Sequence, residues 1–312
     1  MRYFWLNFHV NYACRHSGAC CAGWPIPVER DRVTLIQPLA NHADWLVPAV
    51  GAPDDVAGML ALQPGGHCVF HGDARCHVYP ARPSSCSHFP YLCVIDQRGV
   101  HVTLSHYCPT AAAMLFDHDG PIEVVEGPAP PTGLDIPEGL DAREALPPLA
   151  APGRLMSFAE FSAWEKNAVG TIGAYGAYGA LDAYGTDRRL FELARAAVPP
   201  SHAAWCEAPQ HLEDIRARLV APAWPSFEPV IARYLAAKVF ASWAAYLNDD
   251  GTTAVLRSVE MARAVLHVEA ARQCAHAAQM LDAALLKAAI RRSDLLLVHY
   301  ADTRVLSSAN SP

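Results

Sequence analysis

Residues 76–90 read CHVYPARPSSCSHFP, and they close a series of cysteines that opens with CRHSGACC at 14–21 and passes through Cys68. Pro80, Pro83 and Pro90 preset the backbone on both sides of Cys86, which lowers the entropy lost when that thiolate is held in one place. Arg82, between two of these prolines, is placed to offset the charge of a thiolate cluster, although a surface ion pair of small worth explains it equally well. A chain of 312 residues can bury a large core, so a cysteine this constrained calls for a reason other than stapling.

Ten cysteines are distributed unevenly: Cys14, Cys20, Cys21, Cys68, Cys76, Cys86, Cys93 and Cys108 precede residue 110, and Cys206 and Cys274, expected to be packing residues, follow it. Three explanations compete for the first eight. Disulfides need an oxidising compartment, and the adjacent pair Cys20-Cys21 can hardly bridge to each other without strain. Buried packing thiols would follow an apolar period, whereas most of these stand beside polar or turn residues. Metal ligation fits best, because thiolates on tight turns can converge on a cation whose binding then supplies folding energy. Structural zinc sites usually show paired C-x2-C spacings, which this series lacks. An iron-sulfur cluster tolerates irregular spacing and needs four thiolates, or three with one iron left open. A 4Fe-4S cluster is therefore expected ahead of zinc, with Cys14, Cys20, Cys21, Cys68, Cys76 and Cys86 as ligands and Cys93 and Cys108 beyond the tightest motif. Eight thiolates suffice for two sites.

Composition narrows the functional classes. Apolar residues make up 52% and charged ones 18%, yet no apolar run approaches the roughly 18 residues that span a bilayer, so no membrane partner is expected. The net charge of −7, with scattered Lys and Arg, argues against a nucleic-acid groove. The opening MRYFWLNFHVNYACR is interrupted by Asn7, His9 and Asn11 and lacks a small-residue cleavage site, which favours the cytoplasm. No G-x-S-x-G, H-E-x-x-H or P-loop occurs. Histidines near the cysteines, namely His67, His71, His77, His88 and His106, are candidate ligands, hydrogen-bond donors to sulfur or acid–base groups, with a plain loop role the commonest for any one of them. His77 and His88, one and two residues past expected ligands, are the leading catalytic candidates.

The pattern divides the chain into a cysteine-rich metal-binding module (1–118), a Pro/Gly-rich linker or strap (119–153) and a mainly helical part (154–312). The module reads as loop-rich with few short strands, of which Gly99–Leu104 (GVHVTL) alternates best. Pro229–Asn248 places Ile231, Leu235, Val239, Trp243 and Leu247 on one stripe and predicts a single helix. Thr252–Arg292 predicts one long helix or a pair, followed by another over Ser293–Leu306, and earlier helices are expected at 157–169, 187–197 and 210–219. AYGAYGALDAYG (174–185) reads as a loop. The expected fold class is thus mainly α with an irregular, cysteine-rich N-terminal module.

CRHSGACC, GGHCVFHGDARCHVYPARPSSCSHFP and HYCPTAA together resemble the YkgJ-type cysteine-cluster family of zinc- or iron-chelating domains, over roughly residues 10–113. The family pattern is C-x2-C-x2-CC followed by C-x-Y-x-x-RP-x-x-C-R-x-F. Ser17 stands where that pattern has its second cysteine, and Ser87 where it has an arginine. Cys93 or an open coordination position then takes the place of the missing ligand. CCAGWPIPVE is similar to the flagellin lysine-N-methylase branch, whose members have a helical C-terminal half. That resemblance implies an iron-sulfur enzyme that transfers methyl from S-adenosylmethionine to lysines of a protein substrate, with Arg82 and Tyr79 of the motif as cofactor contacts. Read from the residues alone, Tyr79 is more readily a packing residue than a catalyst. A Rossmann glycine turn is absent, since Gly173-x2-Gly176-x2-Gly179 has the wrong spacing, so S-adenosylmethionine would be anchored at an open iron. The alternative is a non-catalytic zinc- or iron-chelating module.

Overall fold

The computed structural model describes residues 1–15, 17–18, 21–49, 51–72, 75–132, 137–175, 187–198, 209–247 and 249–299. Cys20, Cys206 and most of the 174–185 segment lie outside these residues.

A five-stranded sheet occupies the first half, in the order β10-β7-β8-β1-β9. It is built from β1 (Tyr3–Leu6), β7 (Tyr91–Asp96), β8 (Gly99–Leu104), β9 (Val124–Gly127) and β10 (Leu140–Asp141). β7 and β8 form an antiparallel hairpin, β1 runs parallel to β8, and β9 runs antiparallel to β1. The two-residue period works on both faces here: Val100, Val102 and Leu104 pack with Tyr91, Cys93 and Ile95, while Val94 joins the core shared with the helices. The expected strand at 99–104 matches β8. Strands β2 (Pro27–Glu29), β3 (Leu46–Val47) and β4 (Val56–Leu60) make a second sheet of order β2-β4-β3. β5 (His71–Gly72) and β6 (Arg75–Cys76) pair antiparallel, and α1 (Arg30–Ile36), α2 (Ser84–His88) and α3 (Pro109–Met114) lie between strands. The module is therefore more regular than its turn-rich sequence suggests.

The second half is helical: α4 (Phe158–Tyr175), α5 (Asp187–Ala197), α6 (Pro209–Ile215), α7 (Glu228–Val239), α8 (Ala244–Leu247), α9 (Thr252–Ala277) and α10 (Ala283–Asp294). The 26-residue α9 is buried along much of its length, from Ala262 through Ala271, because α5, α7 and α10 surround it. The whole is mixed α/β, roughly half helical, which corrects the mainly α expectation. The missed strands are short and several are buried on both faces, so they leave little alternation to read.

Two helix boundaries also differ from the sequence pattern. The stripe at 229–248 is not one helix: Phe240 is extended (ψ 133°) and Ala241 is left-handed (φ 54°), and helix resumes at Ala244. Neither residue is a helix breaker by type. The break is held from outside, by Glu165 Oε1 accepting from Ala241 N at 3.4 Å, by Trp243 Nε1 donating to the Cys93 carbonyl at 3.0 Å and by Tyr246 donating to Asp96 at 2.6 Å. The 252–292 stretch resolves into the pair α9 and α10, separated at left-handed Ala278, and Asp282 caps α10 by accepting from Leu285 N at 2.8 Å. α10 passes directly into a π-helical turn at Leu295–His299, and residues 300–306 of the further helix expected there lie outside the described ones. The 119–153 stretch supplies β9 and β10 and then crosses the start of α9, where Thr252 N donates to Leu149 O at 2.9 Å. Among the described residues no helix is long and apolar enough to cross a membrane.

Candidate metal centre

Four of the expected ligands border one core cluster. Buried Cys68 belongs to a core cluster with Trp24, Ile26, Phe70 and Val78, and Cys21, Cys76 and Cys86 pack against that cluster. Backbone bonds set this arrangement: Cys68 N donates to Cys21 O at 2.7 Å, Ala22 bridges to His67, and His71 pairs with Cys76 across β5 and β6. Gln63 Nε2 lies 3.3–3.4 Å from the carbonyls of Cys68, Val69 and His71 and so braces the turn that carries Cys68. Cys86 sits on α2, whose first N–H groups are met by the Glu29 carboxylate at Ser84 N (3.2 Å). Burial raises the Cys68 thiol, and nearby Cys76 raises it further, as expected for two acids that cannot both ionise without a cation between them.

Cys14, Cys93 and Cys108 form a separate neighbourhood around Tyr12 and Tyr91, both of whose hydroxyls are pushed up by burial and then by these cysteines. The Tyr12 hydroxyl is 3.4 Å from Cys108 Sγ, and Cys93 is fully buried on β7 with its thiol pushed up to about 12 by burial. Cys93 faces the cluster of Trp5, Val100, Val102 and Leu104, apart from the Cys68 group. Cys274 is buried in α9, in keeping with a packing role.

Among the described residues no three His, Cys, Asp or Glu side chains stand close enough together to hold a metal ion. The donor chemistry nevertheless fits zinc or iron. Beside the thiols, the buried atoms His67 Nδ1, His71 Nε2 and His88 Nδ1 make no hydrogen bond among the described residues. An imidazole nitrogen sealed from water without a partner is an unmet acceptor or donor, and metal coordination is one way to satisfy it. Burial pushes His88 down to about 4, so it is neutral near pH 7 and suited to accept or ligate rather than to donate a proton. His77 is exposed, its backbone N donating to Phe70 O at 2.9 Å. Arg82 stacks over the Tyr79 ring at 4.1 Å and donates to Ser87 Oγ at 3.0 Å, so Ser87 holds this arginine where the pattern has a second one.

A further buried polar group was not legible in sequence. Asp294, fully buried at the end of α10, accepts from His106 N (2.6 Å), Tyr234 Oη (2.9 Å) and Lys238 Nζ (2.5 Å). His106 Nε2 lies 3.1 Å from His9 Nε2, and His299 Nε2 lies 2.8 Å from Ser105 Oγ. Burial alone would raise the Asp294 carboxyl, but Lys238 and His106 hold it well below the usual range. Burial lowers both His9 and His106. The one sequence signal is an acid set immediately before the apolar run LLLV at 295–298.

Residues 13–109 match the model of the family described as "CxxCxxCC: Putative zinc- or iron-chelating domain". No curated protein and no solved structure gives a significant match. The match covers both neighbourhoods of cysteines and supports zinc or iron chelation by this segment.

Proposed function

We propose that residues 13–109 bind zinc or iron, with Cys21, Cys68, Cys76 and Cys86 as the central thiolates, Cys20 joining them from the 14–21 loop, and Cys14 grouped with Cys93 and Cys108. The observation that carries this reading is the gathering of four cysteines on one buried cluster beside imidazole nitrogens that have no hydrogen-bond partner among the described residues. Metal would draw the thiols together and supply the energy of closing the site. Thiolate ligation needs a reducing compartment, so the cytoplasm is the expected location.

The test is to measure zinc, iron and acid-labile sulfide in protein purified without oxygen. Zinc without sulfide gives a zinc centre. About four iron and four sulfide per chain give a 4Fe-4S cluster. Protein that holds neither metal, and takes up neither on reconstitution, refutes the reading.

A finer reading rests on the CCAGW stretch at Cys20–Trp24: an iron-sulfur enzyme transferring methyl from S-adenosylmethionine to protein lysines. His77 and His88 would then serve proton transfer, and the Arg82–Tyr79 stack, with Tyr79 48% exposed, would offer a cation and an aromatic face to the cofactor. Isotope-labelled S-adenosylmethionine with lysine-rich protein acceptors tests it, and a cluster-loaded chain that transfers no label removes the enzymatic role.

A further inference from the structure

Within the metal-binding reading, on which this inference rests, we propose that His71 is a metal ligand of this chain and replaces the cysteine that the family pattern carries at position 17. Ser17 is exposed and its hydroxyl is a poor ligand for a thiophilic metal. Cys93 does not fill the gap, because it lies in the other cysteine neighbourhood, fully buried on the sheet. The next residue after Ser17 shows what does. Gly18 adopts φ +69°, and a Cβ added there would fall on the His71 ring at Nε2. Nε2 of His71 is therefore delivered to Gly18 of the 14–21 loop, next to the position of the missing thiolate.

Backbone bonds and one ring contact fix the placement of His71. Its backbone N donates to Cys68 O at 2.9 Å, it pairs with Cys76 across β5 and β6, and its carbonyl is 3.3 Å from Gln63 Nε2. The His67 ring stacks on it with centroids 5.2 Å apart and planes at 18°. His71 thus sits between two expected ligands in sequence and against Gly18 of the loop that carries Cys21, with Nε2 shielded from solvent and without a hydrogen-bond partner among the described residues. Gln63 fixes the backbone that carries this imidazole, and the absence of a side chain at Gly18 leaves room for its ring. The centre is accordingly a mixed sulfur–nitrogen one.

X-ray absorption at the edge of whichever metal the full-length chain carries decides the matter. For zinc, the wild type is expected to show a nitrogen shell near about 2.0–2.1 Å beside sulfur at about 2.3 Å. His71→Ala is expected to lose one nitrogen scatterer and at least about 100-fold in zinc affinity, beyond the 10–100-fold typical of a supporting residue. Adding Ser17→Cys to that variant is expected to restore binding with an all-sulfur shell. Gly18→Ala, which displaces the ring without removing it, is expected to weaken the nitrogen shell. An all-sulfur shell in the wild type overturns the proposal, as does a His71→Ala variant with unchanged shell and affinity. If the wild type binds no metal at all, the metal-binding reading itself fails, and the two failures are told apart by that first measurement.

Discussion

Replacing Asp294 by Asn tests whether the buried charge network ties the two halves together. Asp294 sits at the end of α10, His106 in the segment after β8, and Tyr234 and Lys238 on α7. At 2.5 Å from Lys238 Nζ, and with an effective dielectric near 20, the pair attracts by roughly 7 kcal/mol before desolvation is subtracted. The substitution removes the charge but leaves Lys238, whose side chain is 13% exposed, facing an amide that presents donors to donors. Breaking a buried pair from one side costs about 3–5 kcal/mol, so Asp294→Asn is expected to lose that amount in urea unfolding at pH 7.5. Lys238→Met in the same chain removes the stranded charge, and the double variant is expected to recover most of the loss, with a coupling of about 2 kcal/mol or more. A single-variant loss below about 1 kcal/mol, or a double variant no better than the single, would refute the reasoning.

Three other outcomes follow from the same chemistry. Burial pushes His299 down to about 4, so it is neutral in the fold and takes up a proton on unfolding at mildly acid pH; stability from this group is full above about pH 6.5 and falls as pH drops toward 4. The drop from pH 7.5 to 5.5 is roughly 1–1.5 kcal/mol for His299 alone, and urea midpoints that do not move between those values, or move equally in His299→Phe, contradict it. Arg98 bonds Asp96 at 2.7 Å and Glu165 at 3.0 Å with all three side chains nearly buried, so Arg98→Met is expected to cost about 3–5 kcal/mol at pH 7.5 and less at pH 5, because Asp96 loses the arginine that holds its carboxyl low; a loss that is the same at both pH values counts against this. Serine at Cys68 is expected to reduce bound metal far more than serine at Cys93, as read by metal content per chain, and equal losses would mean that the two cysteine neighbourhoods act as one site.

The amino-acid sequence by itself determined what depends on neighbours along the chain. Clustered cysteines among prolines pointed to a metal before any coordinate was known, the alternation of GVHVTL placed β8, and the polar and apolar spacing of 187–197 placed α5. Cys68 and Cys76 stood out as candidate ligands because turn residues surround both. What tertiary structure alone decided are the relations across long separations. Nothing local breaks the 229–248 stripe at Phe240–Ala241; it is broken because Glu165, Cys93 and Asp96 offer better partners than a continued helix does. The division of the seven described N-terminal cysteines into two neighbourhoods follows from the strand period of β7, which turns Cys93 away from the Cys68 cluster. Asp294 and His106 are 188 residues apart, and His71 meets Gly18 across a turn whose closure is set by the pairing of Cys68 with Cys21. Periodicity and turn chemistry act within a few residues and can be read from composition and spacing, whereas a buried charge or an imidazole finds its partner only when packing has excluded water and brought the two segments together.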